Sequence, residues 1–349
     1  MTAYIVSMEQ IPDLLEAWAI TREVLVPIAE PNGFFDFIPW SKGIEIAWDY
    51  DLAYNTLKRY FLPPRETLLR FNRAISQAEP IFEKTPRLLL GVHPYDLKAI
   101  NQLDQLMKLG FKDSHYLKRR EQTLVFAMEP LKIADTAFWA SMYASQVDFG
   151  YDLYWTKISP STFYVKVGSP QGEELLMARQ LLPIATLSER EAVRRIQLNI
   201  RTKAFKRSLK FPWEQIPKLL ERSWDNSLWR HRSKHCLSCG SCVTVCPTCY
   251  CFEVRDEIDL DLQSGKRYRE WHGCMLPTFQ LVAGDHSFQP LPMDRYRHRY
   301  FRKGKYIYDK IGELGCVGCG RCVRACTANI ANPMEVFNEL WEVSQYEPK

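Results

Sequence analysis

The stretch Cys236-Leu-Ser-Cys239-Gly-Ser-Cys242-Val-Thr-Val-Cys246-Pro247 sets three cysteines two residues apart, adds a fourth after three more, and closes on proline. Eighty residues on, Cys316-Val-Gly-Cys319-Gly-Arg-Cys322-Val-Arg-Ala-Cys326-Thr327 repeats the spacing, with threonine in place of the proline. All 11 cysteines of the 349-residue chain lie between Cys236 and Cys326, and residues 1–235 contain none. A secreted disulfide scaffold is short and stapled throughout. Thiols gathered into one segment of a long chain point instead to metal.

The spacing selects the metal. Three thiolates at intervals of two wrap one face of an iron–sulfur cube, and the fourth, one turn on, points toward a neighbouring cube. Cys236, Cys239, Cys242 and Cys326 are therefore expected to hold one [4Fe–4S] cluster. Cys246, Cys316, Cys319 and Cys322 are expected to hold a second. Gly240, Gly318 and Gly320 are expected to let the backbone approach the sulfides and donate to them. A zinc ribbon needs two C-x2-C pairs and no third cysteine in register, and no C-x-x-C-H is present for haem.

Cys249, Cys251 and Cys274 remain, and three readings are open. They are buried thiols beside the second cluster, small hydrophobes in effect. They form a third metal site completed by His272 or His235. Or Cys246-Pro-Thr-Cys249 opens a dithiol redox site, although that chemistry calls for a thioredoxin-like strand-to-helix setting.

Composition narrows the rest. The chain is 46% hydrophobic and 25% charged, which suits a globular core and excludes a disordered or collagen-like chain. The net charge of +5 is uneven: residues 1–200 hold 22 basic and 24 acidic side chains, residues 201–349 hold 24 and 17. The segment Asp294–Lys305, DRYRHRYFRKGK, is expected to supply cations that offset anionic clusters, where the bland alternative is a solvated charged loop. Partner docking and nucleic-acid stacking are its rival uses. No apolar run reaches the ~18 residues of a membrane helix. The N-terminus lacks a basic leader and carries Glu9 and Asp13, so a cytoplasmic protein without a transmembrane segment is expected. No Walker A, dinucleotide or H-E-x-x-H motif occurs.

Apolar periodicity organises the chain into an α+β protein. Residues 1–200 read as an α/β domain with a partly parallel sheet. Its expected elements are a helix over Ile11–Ile28 that buries Leu14, Leu15, Trp18 and Ile20, a strand at Leu88–Val92, a helix capped by Asp96, and strands at Thr123–Met128, Tyr151–Trp155 and Phe163–Val167. A helix follows at Glu173–Gln180. Residues 188–207 form a basic helix opened by a Ser188–Glu191 capping box. Residues 201–227, with Pro212 and Pro217, are the expected linker. Residues 228–349 form a ferredoxin-like dicluster domain whose two halves are split by an insert of about 70 residues.

Cys236–Asp256 (CLSCGSCVTVCPTCYCFEVRD), Trp271-His-Gly-Cys274, Arg295-x-Arg297-His-Arg299 and Cys316-Val-Gly-Cys-Gly-Arg321-Cys322 together resemble the family of 4Fe–4S dicluster subunits. That family includes the β subunit of cytosolic NiFe sulfhydrogenases and the corresponding iron–sulfur subunit of anaerobic sulfite reductase. Phe61-Leu-Pro-Pro-Arg65-Glu66-Thr67, Gly91-Val-His-Pro-Tyr-Asp96-Leu97 and Asp113-x-x-Tyr116-x-x-Arg119-Arg120-Glu121 extend the resemblance over most of the chain. Where the family often reads G-V-R-P-C-D-L, this chain has His93 and Tyr95, so a ligand from that cysteine is absent.

The resemblance implies an electron-transfer subunit with no catalytic residues of its own. It would relay electrons between a flavin, NAD(P)-binding subunit and a catalytic subunit of hydrogenase or sulfite-reductase type. Two rivals stand beside it: a thiol or disulfide reductase using Cys249, Cys251 and Cys274, and a zinc-stabilised RNA-binding module.

Overall fold

The computed structural model describes residues 2–178, 181–203 and 205–346. The strands of its two larger sheets are β1 (Ala3–Ser7), β2 (Glu23–Ala29), β3 (Phe35–Pro39), β4 (Arg65–Asn72), β5 (Gln77–Pro80), β6 (Arg87–Val92), β7 (Thr123–Met128), β8 (Leu153–Ser159), β9 (Thr162–Val167), β10 (Phe252–Ile258) and β11 (Ser264–Trp271). The first sheet runs β1-β9-β8-β7-β6-β2-β3. Its centre, β2-β6-β7-β8, is parallel, and the remaining pairs are antiparallel. Both faces of a central parallel strand are covered, so β6 and β7 are near-continuous apolar runs, buried from Leu88 to Val92 and from Thr123 to Met128.

Helices α1 (Ile11–Ala19), α2 (Pro94–Leu106), α3 (Ser114–Gln122), α4 (Pro170–Met177) and α5 (Leu187–Lys203) accompany this sheet. Trp18 anchors α1: it is buried, meets Phe126 edge-on at 5.1 Å and donates its indole N–H to Leu175 O at 3.0 Å. The helix expected over Ile11–Ile28 stops at Ala19, and Ile20 is 74% exposed. The β-branched Val24, Val26 and Ile28 belong to β2, where burial against the sheet overrides the helical spacing. Asp96 does not cap α2; His93 does, and Asp96 lies in the first turn with its carboxylate engaged elsewhere. The capping box of α5 sits two residues earlier than expected. Thr186 Oγ1 accepts from Glu189 N at 3.4 Å, while Glu189 Oε2 accepts from Thr186 N at 2.7 Å. Gln180 and Ala204, which the expected helices included, lie outside the described residues.

The second core gathers around helices α6 (Ile216–Arg222), α7 (Leu228–Ser233), α8 (Ser241–Thr244), α9 (Pro292–Phe301), α10 (Ile307–Ile311), α11 (Arg321–Arg324) and α12 (Pro333–Ser344). Pro217 starts α6, a position whose N–H is unpaired in any helix. The basic stretch is helical and not a solvated loop: α9 continues into a π-helical turn at Arg302–Tyr306. Arg295, Arg299 and Lys303 on it are buried, so they are withheld from any nucleic-acid surface.

The residues between the cysteine runs join the first region to the second. The hairpin β10–β11 pairs antiparallel with β4, giving a second sheet of order β10-β11-β4-β5. Beneath it Arg269 pairs with Glu66 and Asp113, and Arg119 pairs with Glu66 and with Glu83. The Arg65–Thr67 and Asp113–Glu121 motifs thus act as a buried ionic clasp on the insert. Removing one member of such a network strands the others without compensation.

Candidate metal centre

Each cysteine run begins as a turn of left-handed residues. Ser238 and Gly240 in the first run, and Gly318 and Gly320 at the matching positions of the second, all have positive φ. Each run then enters a one-turn helix, α8 or α11, and these two helices pack together. The repeat in sequence is therefore a repeat in backbone conformation. Gly318 and Gly320 also admit a close neighbour from the first region. A Cβ on Gly318 would lie 2.8 Å from the Trp139 backbone, and one on Gly320 would lie 2.7 Å from the Thr136 carbonyl. Phe138 N donates to Gly318 O at 2.9 Å. Residues 136–139 of the first region are thus laid directly on the second run.

Two cavities result. Cys236, Cys239, Cys242 and Cys326 line the outer one, together with Tyr296, Met275 and Arg299; it holds about 430 Å³ of atom-free space. Cys246, Cys316, Cys319 and Cys322 line the inner one, with Lys303 and again Arg299; it holds about 360 Å³. Each cavity takes three cysteines from one run and the fourth from the other. Cys239 is exposed, whereas Cys319 and Cys322 are buried.

The surroundings are cationic. Arg299 is 2% exposed, lines both cavities, and its Nε and Nη1 have no hydrogen-bond partner. Lys303 is buried and donates to Thr248 Oγ1 at 2.6 Å. Lys58, also buried, reaches across from the first region to Cys246 O at 3.0 Å and lies over the Trp271 ring at 4.1 Å. Among the described residues none of these three cations has a carboxylate partner. Burial pushes the Cys242 thiol up to about 11 and the Cys319 thiol up to about 12. Burial also raises Cys316 and Cys322, with neighbouring cysteines adding to it. Buried cations without anions are strongly unfavourable, and so are thiols that must ionise alone. A metal–thiolate group resolves both, because it deprotonates the sulfur and brings the missing negative charge. The donor set and its orphaned guanidinium therefore fit anionic iron–sulfur clusters.

Cys249 and Cys274 are buried in the second core, and Cys251 is half-buried. A hydrogen bond to Cys246, with burial adding to it, raises the Cys249 thiol, and burial raises Cys274 to about 11. Reactive thiols need a lowered pKa and access, so neither has the setting of a nucleophile. Among the described residues no group of three or more His, Cys, Asp or Glu side chains is placed to hold a single metal ion, and this is as true of the two four-cysteine cavities as of Cys249, Cys251 and Cys274. Both ring nitrogens of His272 are engaged: Nδ1 accepts from Gly273 N at 3.0 Å and Nε2 meets Thr278 Oγ1 at 3.3 Å. His235 is exposed.

The sequence alone did not single out Lys58 or Asp96 for the centre. Asp96 accepts from both Arg321 Nη atoms, one residue before Cys322. The only hint was the placement of Asp96 and Arg321 within stretches shared with the resembling family.

Comparison with known proteins agrees with this geometry. A family model described as a 4Fe–4S dicluster domain matches residues 235–330. Over 335 residues the chain is 30% identical to the sulfhydrogenase 2 subunit beta of Pyrococcus furiosus, covering 96% of this chain and 97% of that protein. Among the described residues no helix is long and apolar enough to cross a membrane.

Proposed function

We propose, because the chain belongs to the sulfhydrogenase β-subunit family, that it relays single electrons through two [4Fe–4S] clusters in a cytoplasmic oxidoreductase complex. It is an iron–sulfur protein of a sulfhydrogenase-like kind. In this proposal Cys236, Cys239, Cys242 and Cys326 hold the outer cluster, and Cys246, Cys316, Cys319 and Cys322 hold the inner one. Such a cluster supplies one-electron transfer with its thiolate cage nearly unmoved. The chain's own residues hold it, exclude water and fix the surrounding charge.

The observation that carries the proposal is the pair of four-cysteine cavities sharing one uncompensated guanidinium. The partners proposed are a flavin, NAD(P)-binding subunit on one side and a catalytic subunit of hydrogenase or reductase type on the other. Residues 1–200 act as the docking scaffold and residues 228–349 as the dicluster domain, and residues 201–227 connect them while contributing α6 to the second core. The outer site has a ready face for one partner. Leu237 and Phe288, 67% and 68% exposed, lie in two segments that Arg295 ties together through Ser238 Oγ, Gln289 O and Pro290 O, and the first of these also carries the exposed Cys239. Exposed apolar groups gathered at one place mark an interaction surface.

Anaerobically purified protein tests the proposal. About eight irons per chain and two interacting S = 1/2 signals after dithionite reduction are expected. A colourless, zinc-loaded protein with no such signals refutes it.

A further inference from the structure

Arg295, Arg299 and Lys303 follow one another at intervals of four along α9 and the π-helical turn, and all three are buried. Residues so spaced share a helix face. Their tasks differ. Arg295 is engaged by the outer loop, donating to Ser238 Oγ and to two carbonyls. Lys303 lines only the inner cavity. Arg299 stands between them and lines both. Its charge faces Cys242 of the outer set and Cys322 and Cys246 of the inner set. Its helix is held by the buried Tyr296 and Tyr300, whose hydroxyls meet the Ile330 carbonyl at 2.6 and 3.4 Å.

We propose that Arg299 is a positioning residue shared by the two sites, its single guanidinium stabilising the reduced, more anionic state of both, while Lys303 does so for the inner site alone. The inference rests on the relay proposed above. Each site takes up one electron, here from dithionite, and no bond is made or broken. A fixed cation near the sulfurs favours that uptake and raises the potential. In a low-dielectric interior its influence is far larger than at a surface. One charge serving both sites raises both potentials when it is present, and its loss lowers both. Arg321, a further buried cation beside the inner set, is neutralised by Asp96 and does not share this role.

The test is potentiometric titration followed by EPR on the full chain, with Cys326→Ser used to identify the outer signal. In Arg299→Met both midpoint potentials should fall, each by at least tenfold in the reduction equilibrium, or 59 mV for a one-electron couple. Arg299→Lys should restore most of the shift, and Lys303→Met should lower the inner potential only. Two intact clusters with unshifted potentials in Arg299→Met overturn the inference, as does a fall confined to one site. If that variant binds no iron, Arg299→Gln decides, and unchanged potentials in it are equally fatal. Loss of the two signals in the wild-type protein would instead refute the relay itself.

Discussion

Asp96 and Arg321 stand 225 residues apart in the chain and meet as a two-pronged ion pair, at 2.6 and 2.7 Å, with both side chains 1% exposed. Arg321 Nε donates to Ala53 O at 2.7 Å, so the guanidinium is satisfied by the first region alone. The pair fastens the start of α2 to the turn that presents Cys319 and Cys322. Breaking a buried pair from one side costs about 3–5 kcal/mol, because the remaining charge is left uncompensated. Asp96→Asn should therefore lower the thermal midpoint strongly and weaken the inner iron signal before the outer one. Asp96→Leu combined with Arg321→Met should recover most of the stability. Equal losses in the single and double variants, measured by anaerobic thermal unfolding, would show that the pair is not the fastening.

The exchange of the fourth ligand gives a prediction that sequence proximity would reverse. Cys246 follows the outer trio in the chain but lines the inner cavity, and Cys326 does the opposite. Cys246→Ser should remove or convert the inner cluster and spare the outer. Cys326→Ser should do the reverse. Iron should fall from about eight toward about four per chain in either case. EPR of the reduced variants distinguishes them, and loss of the outer signal in Cys246→Ser would show that the runs are not exchanged.

Gly318 combines a φ of +66° with a backbone neighbour, Trp139, where a Cβ would be 2.8 Å away. A side chain there meets both backbone strain, about 1–3 kcal/mol for a residue held in a sparsely populated region, and a clash that no rotamer relieves. Gly318→Ala should destabilise the protein and preferentially release inner-site iron. Gly312, with a φ of +72° and nothing within 4 Å, isolates the strain from the clash. Gly312→Ala should be the milder change, and chemical denaturation of both variants makes the comparison.

Burial, with the charge of Arg302 adding to it, pushes the His298 ring down to about 4 from its ordinary 6.5. The unfolded chain then binds the proton more readily than the folded one. Stability from this group is present above pH 6.5 and lost as pH falls toward 4. His298→Gln should flatten that part of the profile. The thermal midpoint of wild type minus variant, measured anaerobically between pH 7 and 5, should decrease as pH falls; a constant difference would rule the histidine out as a source of acid sensitivity.

The sequence by itself determined the chemistry of the centre. Eight cysteines in two identical spacings specify how many thiolates each turn presents and that the fourth must reach away, since local backbone geometry follows from local intervals. The central strands were legible for a related reason: a run such as Leu88–Val92 between prolines has few ways to bury itself. Where local preference competed with burial, the sequence misled. Ile11–Ile28 has helical spacing, yet its second half is a strand of a parallel sheet that distant β6 completes. The basic stretch Asp294–Lys305 is different: its cations are expected beside the clusters, and Arg299 and Lys303 do line the cysteine cavities, carried there by a helix and not a loop. Only the tertiary structure decided that Lys58 and Asp96 belong to the centre, that residues 136–139 lie on the second run, and that the hairpin β10–β11 is paired with β4. Each of these depends on contacts between residues far apart in the chain. Long-range packing is settled by which charges and surfaces can be buried together, and that is not written in the spacing of neighbours.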